Sequence, residues 1–250
     1  YYKNRRFRPQ DRVLQRADAQ VAFDYGTDSP APGKIPHHEF SVRWAGTLIA
    51  EETGEHEIVI RTEHAARLWL NDQKRPLIDA WVKSGNDTEY RATLFLVAGR
   101  AYPLRLEYSK AKQGVDDSAK QKKKPESQPA TIRLLWKPPH GTLEPVPSRC
   151  LSPGTAPERF VLTTHFPPDD RSVGYERGTS VSRAWDQATT EAAFEVAGSV
   201  VPRLQEWAGA RADAPDAKKK VRDFCLRFAE LAFRRPLTDE QKRLYVDPRM

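Results

Sequence analysis

Apolar and polar positions alternate with period two along the first part of the chain. FSVRW puts Phe40, Val42 and Trp44 on one face, HEIVI puts His56, Ile58 and Ile60 on one face, and RLWL gives Leu68 and Leu70. YRATLFLV contributes Tyr90, Ala92, Leu94 and Leu96, and TIRLLW contributes Ile132, Leu134 and Trp136. YPLRLEY contributes Tyr102, Leu104, Leu106 and Tyr108, with Arg105 and Glu107 facing away. Successive strand side chains point to opposite faces, so each run buries one face and leaves the other wet. The runs are short and bounded by Gly, Pro, Asn and Asp, which predicts an antiparallel sandwich or barrel. Glu52-Thr53-Gly54 is expected to close one hairpin, with Gly54 free to take positive φ, and Ala98-Gly99-Arg100 another.

The pattern changes twice further on. From about 138 to 180 the chain is rich in Pro and Gly (KPPHG, EPVPS, SPGTAP, FPPDD), and little regular structure is expected there. After 182 the period becomes helical: Trp185, Ala188, Ala192, Val196, Val200 and Leu204 recur at three- and four-residue steps. Pro202 is expected to end or kink that helix. Val221, Phe224, Cys225, Phe228 and Leu231 form a second stripe, stopped at Arg234-Arg235-Pro236. Thr238 then caps a third helix, with Gln241 reaching back. The organisation predicted is mainly β: a sandwich over 1–152, a Pro/Gly-rich linker or docking strap over 153–181, and a helical segment over 182–250. The helical stripes exceed the partners available to cover them, so this last part reads as the start of a longer helical domain. The sequence opens on YYKN and ends on VDPRM, and its 250 residues read as a piece of something larger.

Composition narrows the function classes. The net charge is +7, and part of it lies in one run, SKAKQGVDDSAKQKKKPESQP at 109–129. That run has no apolar spacing and no aromatics, so it reads as a solvated insertion between strands rather than a nucleic-acid groove. Nucleic acid is not an expected partner. No apolar run reaches the ~18 residues of a membrane span. Cys150 and Cys225 give neither a metal spacing nor a disulfide framework. There is no nucleophile elbow, phosphate loop or zinc-protease motif, and Glu51-Glu52 falls in a turn, so no catalytic residue and no reaction is assigned. The adjacent acids Asp169 and Asp170 are expected to form a turn and a helix cap rather than a metal site.

Several phrases, in order, resemble the PA14 domain, a β-sandwich or barrel found in yeast adhesins and bacterial glycosidases. YYKNRRF resembles its opening strand and VAFDYGTDSPAPG its F-W-G-x-G-S-P stretch. FSVRWAGTLIAEETGEHEIVIRTE resembles the Trp-x-Gly strand leading to a T-G-E/K-Y-x-F hairpin, and RLWLNDQKRPLIDAW resembles R-L-Y-I-D-G-K-L-V-I-D-N-W. LVAGRAYPLRLEY and ATIRLLWKPPHGTLEPVPSRCL resemble the closing strands, so the likeness covers roughly 1–152. FPPDDRSVGYERGTSVS and FAELAFRRPLTDEQ resemble linker and helical segments of exported, multidomain planctomycete proteins that carry c-type cytochrome modules. No Cys-x-x-Cys-His signature occurs in this sequence, so any haem lies outside it.

The resemblance also implies a site. Sugar-binding PA14 domains hold Ca²⁺ on an Asp pair after the hairpin strand, and the ion ligates sugar hydroxyls. Here that pair is Glu63-His64, followed by Ala65 in place of Gly. Calcium takes ~6–8 oxygen ligands, whereas imidazole suits zinc or copper. A transition metal shared by His56 and His64 requires their strand faces to converge. Asp79 and Trp81 match the I-D-x-W motif, and the loop SGNDTE at 84–89 offers Asn86 and Asp87. Trp81 either stacks on a sugar ring or packs across the sandwich, and Asp79 either binds or caps its own turn. The candidate ligand-binding residues are therefore Glu63, His64, Asp79, Trp81, Asn86 and Asp87. No metal is assigned; Ca²⁺ enters only as the resemblance implies it. The function implied is a non-catalytic carbohydrate-binding module of an exported protein, with a polysaccharide or cell-surface glycan as partner. The alternative is an interaction domain that docks onto other domains of the same polypeptide and binds no sugar.

Overall fold

The computed structural model describes residues 1–82, 86–110, 129–167, 182–211 and 213–247. The chain divides into two compact units, Tyr1–Val161 and Leu162–Met250.

The first unit is built from strands β1 (Ala22–Asp24), β2 (Phe40–Ile49), β3 (Gly54–Arg61), β4 (Ala65–Leu70), β5 (Ile78–Ala80), β6 (Glu89–Leu96), β7 (Ala101–Lys110), β8 (Thr131–Lys137), β9 (Glu144–Pro145) and β10 (Leu151–Ser152). They form two antiparallel sheets. One runs β1-β8-β3-β6 with β9 also on β8, and the other runs β10-β2-β7-β4-β5. The sheets stay separate, so the unit is a sandwich and not a closed barrel. The faces predicted by alternation meet between them: Phe40, Val42, Ile58, Ile60, Leu106 and Trp136 are all at most 1 % exposed.

Two expectations about connections are corrected. The turn at 52–54 joins β2 to β3, and the turn at 98–100 joins β6 to β7; in both cases the strands lie in different sheets. They are arches across the sandwich, not hairpins. Alternation reports which face of a strand is buried, but not which strand it pairs with. The arches are tied to each other: Gly99 N–H donates to the Ala50 carbonyl at 2.8 Å, and Ala50 N–H donates to the Arg100 carbonyl at 3.2 Å. Gly54 does take positive φ, +145°, and a Cβ there would lie 2.7 Å from the Pro139 side chain.

A third correction concerns Glu107. It faces away from the core, as expected, yet is only 4 % exposed. Arg43 and Arg67 flank it on the neighbouring strands, and their guanidiniums reach its carboxylate at 2.7 and 3.2 Å. The two arginines continue into aromatic rings: Arg43 lies over Phe7 at 4.4 Å and Arg67 over Trp81 at 4.2 Å. Trp69 is sandwiched further along, with Arg105 3.9 Å from its ring centre. The outer face of this sheet is thus sealed by stacked guanidiniums and rings.

Residues 153–161 belong to the first unit. Asn71, at φ +66°, exchanges two hydrogen bonds with the backbone of Arg159, both 2.7 Å. Asp169 and Asp170 lie outside the described residues.

In the second unit the helical spacing is realised as α1 (Arg183–Val200), α2 (Leu204–Ala208), α3 (Ala217–Phe233) and α4 (Asp239–Tyr245). Pro202 stands in the short 3-10 turn that ends α1, and Thr238 and Gln241 form the expected capping box of α4. Glu195 of α1 clamps the preceding strap, accepting from the backbone and hydroxyl groups of both Thr163 and Thr164. Of the predicted stripes, Ala188 and Ala192 are buried, while Phe228 and Leu231 are 61 % and 77 % exposed. No helix among the described residues is long and apolar enough to cross a membrane.

Candidate functional site

The register gathers several loops at one end of the sandwich. β2 begins at Phe40 opposite the last residue of β7, Lys110, and β4 begins beside Ser109. β3 ends at Arg61 opposite the start of β6, and β5 ends opposite the start of β4. The connections 25–39 and 62–64, with residues 81–82 and 86–88, therefore share this end with the start of β8. The candidate residues from the sequence all fall on or beside it, but they do not act together.

Glu63 and His64 turn inward. The Glu63 carboxylate accepts from Thr131 Oγ1 at 2.6 Å and Thr131 N–H at 3.2 Å. His64 is 3 % exposed, and its Nε2 donates to the Pro129 carbonyl at 3.1 Å. Its ring sits edge-on to Tyr108 at 6.1 Å. The pair pins the start of β8 to the start of β4. The Ca²⁺ implied by the resemblance does not fit this corner, because a nitrogen and an oxygen already spent on neighbouring groups leave too few hard donors. His56 is also buried, with Nδ1 donating to the Gly54 carbonyl at 3.0 Å. Among the described residues, no group of three or more His, Cys, Asp or Glu side chains converges as metal ligands would.

Asp79 caps its own turn, with Oδ1 accepting from Trp81 N–H at 3.1 Å. Trp81 neither crosses the sandwich nor stands free. It lies outside the second sheet, against Arg67 and, at 6.0 Å, Phe7. Asn86 and Asp87 are exposed, and the Asp87 carbonyl accepts from the Tyr90 hydroxyl at 3.0 Å.

Sequence reasoning missed two features of this end. The first is a cleft of about 490 Å³ in the β1–β2 connection, lined by residues that include Asp28, Ser29, Lys34 and His37. Its signal was present in the TDSPAPGKIPH stretch, whose turn residues hold a wide loop open. The second is the Lys110 side chain, 2 % exposed, whose Nζ has no hydrogen-bond partner among the described residues. Read as the edge of a Lys-rich solvated run, it gave no sign of lying inside.

Two antiparallel sheets with irregular loops gathered at one end define a β-sandwich domain. The chain belongs to the PA14 domain family, which matches residues 1–149. A curated relative, Anti-sigma-I factor RsgI3 of Acetivibrio thermocellus, is 29 % identical over 141 residues, covering 56 % of this chain and 19 % of its own. An anti-sigma factor domain-containing protein from Clostridium clariflavum is similar in structure, with TM-score 0.49, 24 % identity, and coverage of 65 % of this chain and 48 % of that one. The Epithelial Adhesin 9 A domain from Candida glabrata, solved with Galβ1-4GlcNAc, has TM-score 0.37 and 12 % identity, covering 50 % of this chain and 63 % of that one. The present chain thus spans about a fifth of the curated relative's length.

Proposed function

We propose that the first unit is a non-catalytic carbohydrate-binding module whose ligand meets the loop end of the sandwich, without calcium at Glu63-His64. The observation that carries this reading is the open cleft at Asp28–His37, on the end where PA14 loops gather and where Asn86 and Asp87 also stand exposed. Hydroxyl-rich ligands need such exposed oxygen and nitrogen groups beside a concave wall. Membership of a family with sugar-bound members supports it. The module serves an exported multidomain protein, holding a polysaccharide near other domains of the same chain.

Calorimetric titration of the full chain with a polysaccharide panel, with and without chelator, tests this. Binding that survives chelation and weakens about tenfold in an Asn86→Ala/Asp87→Ala double variant is expected. Chelator-sensitive binding would relocate a metal to this end and overturn the calcium-free part. A second reading, an interaction domain docking onto neighbouring modules, is favoured by the inward closure of Glu63 and His64. Silence across the whole panel is its expected result.

A further inference from the structure

Residues 2–12 form a loop that closes on itself and rests on the outer face of the second sheet. Tyr2 bridges both Arg12 and Ser41 of β2, and Lys3 N–H donates to the Asp11 carbonyl at 3.0 Å. Ser41 Oγ donates to the Asn4 carbonyl at 2.7 Å. Phe7 anchors the loop, 5.2 Å from the Tyr2 ring and 6.0 Å from the Trp81 ring. Lys3, Arg5, Arg6, Arg8 and Arg12 stand exposed on this loop, against one acid, Asp11. Beside it lie Arg43 and Arg67, with side chains 34 % and 30 % exposed and only the Glu107 carboxylate between them. Val82 follows Trp81 in the chain and is 87 % exposed.

Five cations on so short a loop repel one another, and an anionic surface relieves that repulsion. The field of such a surface decays within a Debye length of ~8–10 Å, so the loop presents its charges to it together. Guanidinium edges match phosphate oxygens, and arginine supplies four of the five cations. The rings of the patch are poor platforms for stacking a base, because Arg43 already lies over Phe7 and Arg67 over Trp81. What projects freely instead is Val82, an apolar side chain next to an indole. That pairing suits the boundary between headgroups and acyl chains, where Trp is at home and a branched apolar tip gains by leaving water.

We propose that the Lys3–Arg12 loop is a docking surface for an anionic phospholipid bilayer, with its arginines on headgroup phosphates and Val82 entering the interface. This surface uses neither the β1–β2 cleft nor Asn86 and Asp87, so it stands whether or not the first unit binds a sugar. Charge complementarity carries the assignment, and the exposed Val82 separates a lipid surface from a soluble polyanion. The net charge of +7 favours the approach. The attachment is peripheral and weakens with salt.

The test is cosedimentation of the full chain with phosphatidylcholine vesicles, with and without phosphatidylglycerol, at physiological salt. Polyglutamate and a DNA duplex are titrated alongside. Binding is expected to the phosphatidylglycerol vesicles only, with both soluble polyanions much weaker. An Arg5→Glu/Arg6→Glu/Arg8→Glu variant should bind the vesicles about a hundredfold more weakly. Its three sites are exposed, so its melting temperature should match the parent's, which separates lost binding from lost folding. Val82→Ser should weaken vesicle binding severalfold. Lys218→Glu/Lys219→Glu, which reverses two exposed cations of α3, should leave it unchanged. Equal binding to neutral vesicles overturns the proposal, as does no binding to either kind. Unchanged binding in the triple variant, or an equal loss in the α3 variant, places the contact elsewhere and overturns it too. Polyglutamate or DNA bound as tightly as the vesicles, or full vesicle binding in Val82→Ser, overturns the assignment to lipid.

Discussion

At the scale of single residues, the side chains that mattered are those whose partners lie far away in sequence. Glu63-His64 was legible as a special corner because it interrupts two alternating runs. Its role was not, because Pro129 and Thr131 reach it only through the fold. Glu63→Ala should cost about 1–3 kcal/mol, the usual loss when buried donors are left unmade. Urea unfolding measures it, and added calcium should leave the midpoint of parent and variant alike. A calcium-dependent rise in the parent would show the corner to be a metal site after all. Glu107 makes the same point more strongly. Alternation correctly put it on the outer face, but could not show that Arg43 and Arg67 close over it. Glu107→Ala leaves two guanidiniums facing each other beside stacked rings, and a loss of about 3 kcal/mol is expected. A Glu107→Gln variant that kept full stability would show that packing, not charge, holds this face.

At the scale of elements, period two identified the buried face of nearly every strand. What it could not supply was the pairing. β2 and β3 are adjacent in sequence and lie in different sheets, because the short Glu52-Gly54 turn arches over the edge instead of folding back. Hydrophobic pattern is blind to this difference, since both geometries bury the same residues. Gly46 shows how a motif encodes pairing indirectly. It is the glycine of the Trp-x-Gly phrase, and a Cβ there would lie 2.3 Å from the Ser152 carbonyl oxygen. Its absence of a side chain is what lets β10 close against β2. Backbone, not a flexible side-chain tip, stands in the way, so Gly46→Ala should cost about 1–3 kcal/mol through displaced strands. Hydrogen exchange at Leu48 and Leu151 should rise in this variant, while exchange in β3 and β6 changes less. Equal protection throughout would mean the edge absorbs the methyl group without yielding.

At the scale of the whole molecule, the buried phenols of the first unit make its stability depend on alkaline pH. Burial first, then the Asp18 hydrogen bond, pushes the Tyr1 phenol up to about 12 from its usual 10.0. Burial likewise raises Tyr25 and Tyr108. The Cys150 thiol is pushed from 9.0 to about 11 by burial and by the nearby Glu51 carboxylate. Below pH ~7.5 all of these groups are protonated in both folded and unfolded chains, so they give no pH dependence; the thiol begins to contribute first and the phenols from pH ~9. Above it the unfolded chain releases protons that the folded chain keeps, fewer protons are bound unfolded than folded, and stability falls as pH rises. Tyr1 alone can remove up to about 2 kcal/mol by pH ~12. Thermal melts followed by circular dichroism from pH ~8 to ~12 should therefore show a midpoint that is flat at first and then drops steeply. Tyr1→Phe should lower the midpoint at neutral pH, because Asp18 loses a donor, and yet flatten the alkaline decline. A decline of unchanged slope in that variant would place the titrating groups elsewhere in the chain.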